Sequence, residues 1–145
     1  MSAPFNIGHD AKVDIVDGST GQVISTWPPA THFTFTQITS QVKSEPVNDK
    51  PIFRETYHGW SGSIDYDRYD AAIDQYFADR EKNYWLGMND TANTITQTVQ
   101  EKDGSVSQWK YSGVVMKMDT AGSWKSGDKV DIKVSWTARD RVRVL

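Results

Sequence analysis

Few side chains in this sequence are of a kind that does chemistry, and their spacing limits what they could do. The three histidines, His9, His32 and His58, are scattered, with no ligand spacing between them. A metal site draws on paired histidines or carboxylates at short fixed intervals, and no such set forms. Two carboxylate pairs stand out. Asp65 and Asp67 flank the expected start of a helix, where capping explains them, and Asp70 and Asp74 fall one turn apart on that helix's solvated side. Glycosidic acid–base chemistry needs two carboxylates facing each other across a cleft, which spacing alone does not specify. Gly59-Trp60-Ser61-Gly62 holds part of a Gly-x-Ser-x-Gly nucleophile elbow, without the full pattern or the following helix. Asp17-Gly18-Ser19-Thr20-Gly21 is glycine-rich but lacks the lysine and helix of a phosphate loop. The absence of cysteine excludes thiolate ligands, disulfides and cysteine nucleophiles together. The sequence reads as a non-enzyme without catalytic, metal or cofactor residues.

The elements expected to position these residues are mostly strands. Residues 11–17 read as a short strand, Gly18 to Gly21 as a turn, and residues 22–26 as a return strand ended by Trp27-Pro28-Pro29. Residues 32–43 form a long strand with Phe33 and Phe35 on one face and Thr34 and Thr36 on the other. Pro46 and Pro51, with Asn48 and Asp49 between them, make the next segment a loop that joins two long strands and projects from the body. The second of those strands, residues 52–66, keeps Trp60, Ile64 and Tyr66 in phase, and Gly59 and Gly62 mark a bulge or a close backbone approach. Tyr69, Ala72, Ile73, Tyr76, Phe77 and Arg80 recur at helical spacing, which predicts a helix over residues 67–83 capped by Asp67. Asp103-Gly104 predicts a hairpin, and a phase shift near Gly113 predicts a bulge in its second arm. Val130, Ile132, Val134, Trp136 and Ala138 alternate with Asp131, Lys133, Ser135 and Thr137, the pattern of a half-buried antiparallel strand.

This gives about seven strands and one helix in a single domain spanning residues 1–145. The fold class is mainly β (β-rich α+β): an antiparallel sandwich or barrel-like domain with a flanking helix and a long projecting loop. A 145-residue chain buries roughly 70% of its unfolded surface, enough to fold without metal or disulfide. The net charge of −3 comes from mixed charges without a basic run, which argues against a cationic nucleic-acid surface. No stretch is apolar enough to span a bilayer, and residues 1–5 lack the charged start and apolar core of a secretory signal, so a cytoplasmic origin is expected.

Six tryptophans raise the alternative of a carbohydrate-binding β-sandwich module, with Trp109 and Trp124 as the ones least tied to a core pattern and Trp60 and Trp136 in phase with apolar neighbours. The long Ser/Thr/Gln-rich strands favour assembly instead. Residues 34–41 and 94–100 are polar on much of both faces, and a monomer with such strands has exposed edges that a closed ring of subunits removes.

From residue 33 to the end, the order long strand, projecting loop, long strand, helix resembles the inner tail tube proteins of contractile-tailed bacteriophages. So does the C-terminal run Trp109-Lys110-Tyr111-Ser112-Gly113-Val114-Val115-Met116-Lys117-Met118, followed by Gly122-Ser123-Trp124, the strand ending at Trp136, and Arg139. Pyocin tube and type VI secretion ring proteins are similar in fold. The resemblance implies stacked hexameric rings whose subunits pool strands into one barrel around a channel for DNA. It implies inter-ring contacts from Lys43, Ser44, Glu45, Pro46, Val47, Asn48, Asp49, Lys50 and Pro51 and from an N-terminal arm, residues 1–10. The lumen should be polar and somewhat acidic so that DNA does not adhere, with Gln37, Glu55, Thr96 and Glu101 as candidates. The implied partners are further copies of the chain, a tail sheath protein, baseplate or initiator and terminator proteins, and a tape-measure protein and DNA within the lumen. No cofactor is implied, and the implied location is the virion tail.

Overall fold

The computed structural model describes Ile7, residues 10–88 and residues 91–145. Its elements follow in the order β1 (Ala11–Val16), β2 (Ala30–Ser44), β3 (Ile52–Asp67), α1 (Ala72–Trp85), β4 (Asn93–Gln100), β5 (Val106–Thr120), β6 (Asp131–Ala138) and β7 (Asp140–Arg143). The strands make one antiparallel sheet in the order β1-β4-β5-β6-β3-β2, with β7 paired to β5. It does not close into a barrel within the chain, because β1 and β2 end the sheet unpaired with each other.

β5 makes the sheet curl. Its residues 106–111 and Val114 pair with β4, whereas residues 115–120 pair with β6 on the opposite edge. The register slips by one residue between these halves, at the bulge that the phase shift predicted. Gly113 sits there at φ +63°, and a Cβ on it would meet the Arg139 side chain at 2.6 Å. The curl brings β2 over the first half of β5, so that Phe35 stacks on Tyr111 with ring centroids 4.7 Å apart. Trp136 closes on both rings at 5.2 Å, and Trp60 meets Tyr111 edge-on at 5.9 Å. Around these aromatics Ile15, Ile64, Ile95, Val114, Ile132 and Val134 are buried. Each comes from the apolar phase of its strand, so the sandwich follows from period-two patterning.

Two expected boundaries move. The return strand at residues 22–26 reduces to one bridge, Val16–Val23, because Trp27 draws the chain away to pack on Tyr66, Tyr76 and Phe77. The helix begins at Ala72 and not at Asp67, because the β3–β6 ladder continues until Asp67 faces Asp131. Asp67 therefore caps nothing; it forms an ion pair with Lys129 at 3.2 Å. The cap-like contact comes from Asp70, whose Oδ1 accepts the Ala72 N–H at 2.9 Å. Asp65 lies 3.7 Å from His32, and Asp74 is taken by Arg68 at 3.2 Å. Ile73, Tyr76 and Phe77 form the inward stripe as expected, but Tyr69 lies ahead of the helix and is exposed. The Asp103-Gly104 hairpin forms with a five-residue connection, 101–105. The Ser105 hydroxyl and amide donate to Asp103, and these bonds hold its carboxyl below the usual carboxylate range.

Burial pushes the phenols of Tyr66 and Tyr111 above their ordinary value of 10.0. Their neutral forms are then the ones that the fold favours, so their contribution is complete below pH 10 and is lost as the pH rises beyond it. Denaturant titrations between pH 8 and pH 12 should show a flat region followed by a decline. For Tyr66 the slope is about 1.4 kcal/mol per pH unit, and Tyr66→Phe should remove that part while leaving neutral-pH stability nearly unchanged.

Candidate assembly surfaces

The β2–β3 pair is longer than the rest of the sheet. β2 and β3 stay paired from Phe33–Ile64 out to Ser44–Ile52, with one register shift after Ile38–Gly59, but β6 accompanies β3 only over residues 60–67. Beyond that point the two strands form a free ribbon of residues 39–44 and 52–57, closed by the loop 45–51. A bulge marks its base: His58 is the extra residue between the Ile38–Gly59 and Thr39–Tyr57 pairs, and Gly59 takes φ +109°. One face of the ribbon presents Lys43, Phe53, Glu55 and Tyr57, the other Val42, Ile52 and Arg54. Val42, Ile52, Phe53 and Tyr57 are all exposed, as is Val47 at the tip. Two strands with no third strand and no backing are at best marginally stable in water, and this pair carries apolar residues on both faces. The bonds it makes are local: Ser40 reaches Thr56 and His58 at 2.6 and 2.7 Å, and Gln41 reaches Glu55 at 3.2 Å.

A second surface lies on the side of β5, β6, β3 and β2 opposite the core. The pairs Thr34–Ser63, Thr36–Ser61, Ser63–Ser135 and Ser61–Thr137 set hydroxyl side chains in rows across three strands. Lys117, Asp119, Asp131 and Lys133 stand among them. Lys117, Asp119 and Asp131 are compensated locally, with Ser135 donating to Asp119, Lys117 near Asp119, and Lys129 between Asp67 and Asp131. Among the described residues both outer edges of this four-stranded unit are open: β2 has no neighbour beyond β3, and residues 115–120 of β5 have none beyond β6.

The residues that the sequence pointed to are distributed over several of these surfaces. Lys43 and Ser44 still belong to β2, opposite Phe53 and Ile52, so the loop proper is Glu45 to Pro51 at the ribbon tip. Glu55 lies on the ribbon, Gln37 pairs with Trp60 in the core-facing phase, Thr96 pairs with Lys110 on the β4–β5 side, and Glu101 is in the hairpin turn. The four lumen candidates thus share no common face. Residues 1–6, 8 and 9 of the N-terminal arm lie outside the described residues. The sequence placed Asp131, Lys133, Ser135 and Thr137 on one polar face, and the register adds Ser61 and Ser63 of β3 to it. Of the tryptophans, Trp136 is core, Trp27 packs on the helix, and Trp109 is covered by Arg141, whose guanidinium lies 3.8 Å from its ring centroid. Trp60 also faces Arg141, at 5.0 Å, while Trp85 and Trp124 are exposed. Among the described residues, no group of three or more His, Asp or Glu is placed to hold a metal ion, and no helix is long and apolar enough to cross a membrane.

No family model and no curated protein matches the chain. Solved structures do. A chain in the sheath/tube terminator of the extracellular contractile injection system PVC superposes with a TM-score of 0.64 at 9% identity, covering 100% of this chain and 99% of that one. A chain of the anti-feeding prophage baseplate gives 0.63 at 12% identity, covering 99% and 97%. The SPP1 tail tube gives 0.59 at 14%, covering 94% and 77%. The chain has the tail-tube fold. In such a fold the open edges of β2 and β5, the hydroxyl face and the free ribbon are three separate surfaces on one subunit.

Proposed function

We propose that this chain is a structural subunit of a tail tube, assembling into closed rings that stack around a channel. The observation behind this reading is the four-stranded unit β5-β6-β3-β2 with both edges open. Its strands alternate in direction, and four is an even number, so β2 of one copy meets β5 of the next in antiparallel sense when copies are related by rotation about one axis. That heterologous contact closes into a ring and removes both edges. The resulting barrel has the apolar side of each unit against its own β1-β4 layer and the hydroxyl side facing the channel. Thr34, Thr36, Ser61, Ser63, Ser135 and Thr137 then line the bore, a neutral hydroxylated surface past which DNA or another cargo slides without adhering. Six copies per ring is the number in this reading, matching the six-fold symmetrised baseplate that contains a similar chain. The ribbon spans to the adjacent ring, with its tip Glu45, Pro46, Val47, Asn48, Asp49, Lys50 and Pro51 at the contact. Sheath, baseplate and terminator proteins are the expected partners, in a phage tail or a contractile injection particle.

Negative-stain electron microscopy across a concentration series tests this directly. Rings or hollow tubes are expected, and a monomer at every concentration, even with a preformed end ring added, overturns it. Replacing residues 45–51 by a two-residue Asn-Gly turn should leave single rings while abolishing stacks. Loss of the rings themselves would place the ribbon in the lateral contact.

A further inference from the structure

An aspartate followed by glycine is the step at which a polypeptide rearranges most readily, because glycine sets no Cβ in the way of its own nitrogen. This chain has two such steps, Asp17-Gly18 and Asp103-Gly104, and serine follows both. In each, the serine amide donates to the aspartate Oδ1 at 2.9 Å. The serine hydroxyl donates to the same oxygen, at 2.8 Å from Ser19 and at 2.6 Å from Ser105. Both aspartates thus sit in the same side-chain-closed turn. Local sequence and local bonds agree, and the surroundings are what differ.

The glycine nitrogen is the nucleophile in the rearrangement. Gly18 N–H donates to Asn93 Oδ1 at 3.0 Å, and Asn93 is buried. Asn93 in turn donates to the Tyr76 hydroxyl at 2.6 Å, which ties the turn to α1. The main chain is held as well, with Asp17 N–H on the Gln22 carbonyl and Gly21 N–H on the Asp17 carbonyl. A Cβ on Gly18 would lie 2.0 Å from the Ala92 carbonyl oxygen, so this step is packed against backbone. Gly104 is placed differently. Its N–H bonds to the Glu101 carbonyl at 3.1 Å within its own turn, and nothing lies within 4 Å of an added Cβ. Gly18 must leave Asn93 and Ala92 before it can react, whereas Gly104 leaves no packed site behind.

We infer that Asp103-Gly104 is a site of isoaspartate formation in the folded protein, and that the fold protects Asp17-Gly18 from the same change. The Gly104 nitrogen attacks Cγ of the protonated Asp103 carboxyl. The N–Cγ bond forms, the Cγ–OH bond breaks, and the hydroxyl leaves as water with the amide proton. Water then opens the succinimide ring. Where it cleaves the bond between the nitrogen and the main-chain carbonyl carbon, the chain runs on through the side-chain carbonyl, one methylene longer. The former main-chain carbonyl becomes the free carboxylate, so mass and charge are unchanged. Ser105 restrains the reaction, since its two bonds favour the ionised carboxylate, which has no hydroxyl to lose. The extra methylene falls where Glu101 N–H meets the Ser105 carbonyl at 2.8 Å, so rearrangement loosens the closed end of the β4–β5 hairpin.

The full-length parent, Ser105→Ala and Ser19→Ala are incubated at 37 °C and pH 6. Isoaspartate at each site is followed by peptide mapping with electron-transfer fragmentation, which tells the two linkages apart. In the parent it is expected to form about tenfold faster at Asp103 than at Asp17, the worth of one hydrogen bond to a buried partner that opens first. Ser105→Ala should speed the reaction at Asp103 several-fold. Ser19→Ala should leave Asp17 slow, because Asn93 still holds Gly18. In concentrated denaturant the two sites of the parent should react at similar rates. Equal rates at the two sites of the folded parent overturn the inference, as does a Ser105→Ala variant no faster than the parent. A difference that persists unchanged in denaturant assigns the effect to sequence and overturns it too.

Discussion

Gly62→Ala is expected to destabilise the protein by about 3 kcal/mol or more, enough to leave a large part of it unfolded or aggregated at 37 °C. Gly62 is the residue of β3 that faces Phe35 on one side and Trp136 on the other. Having no side chain of its own, it lets those two rings approach across it to 5.2 Å. A Cβ there would lie 1.9 Å from the Thr34 carbonyl oxygen and 2.9 Å from Cζ2 of Trp136. The first of these is backbone in a hydrogen-bonded ladder and cannot rotate away, so the strands must separate or slip. Gly104→Ala is the matched control: it sits at φ +89° with nothing within 4 Å of an added Cβ, and its cost is limited to the left-handed backbone, about 1–2 kcal/mol. Chemical denaturation of both variants compares a steric conflict with a purely conformational one. Equal losses at the two sites would mean that Phe35 and Trp136 do not meet over Gly62 in solution.

Most of the β layer was legible because period-two alternation is a local property. Ile132, Val134, Trp136 and Ala138 are buried in the order their spacing predicts, and the bulge at Gly113 is where the apolar phase of β5 breaks. Boundaries were harder, since they depend on what the neighbouring strand does. Asp67 reads as a cap in isolation, yet it remains in β3 because Asp131 is opposite it. Likewise, nothing local distinguishes residues 52–59, which lack a third strand, from residues 60–67, which have one. The sequence pointed to a projecting loop at residues 43–51, whereas the projecting body is the whole ribbon.

The hydroxyl face proposed to line a channel was illegible for a related reason. A polar residue on a strand reveals that its face is wet, but not which wet face becomes a lumen when copies meet. Gln37 and Thr96 come from polar strands and yet fall on different sides of the sandwich. The rows of hydroxyls appear only once the register of β2, β3 and β6 aligns Thr34 with Ser63 and Ser63 with Ser135. Register is thus what converts scattered serines and threonines into a surface.

That surface depends in turn on the core behind it, where one side chain joins the two halves of the curled sheet. Tyr111 is fully buried and touches Phe35, Trp60 and Trp136, which come from β2, β3 and β6. Arg141 lies 5.7 Å from the same ring and ties in β7. Tyr111→Ala should cost about 3–5 kcal/mol, because the surrounding rings are held by three separate strands and cannot collapse together into the space left behind. Tyr111→Phe should cost about 1 kcal/mol, since the hydroxyl reaches Gln97 at a long 3.4 Å and otherwise interacts with Arg141. The contrast separates packing from hydrogen bonding at a single atom's difference. Near-ultraviolet circular dichroism should show a loss of aromatic signal for the alanine variant beyond what one missing tyrosine explains, because Phe35 and Trp136 lose a fixed neighbour. Ring formation should fail in the same variant at temperatures where the phenylalanine variant still assembles, since in the proposed ring β2 meets the next copy from a position that Phe35 on Tyr111 holds. If the alanine variant instead kept both its stability and its rings, the curled sheet would have to be held by β5 and β6 pairing alone, and the aromatic contact would be incidental to the shape of the subunit.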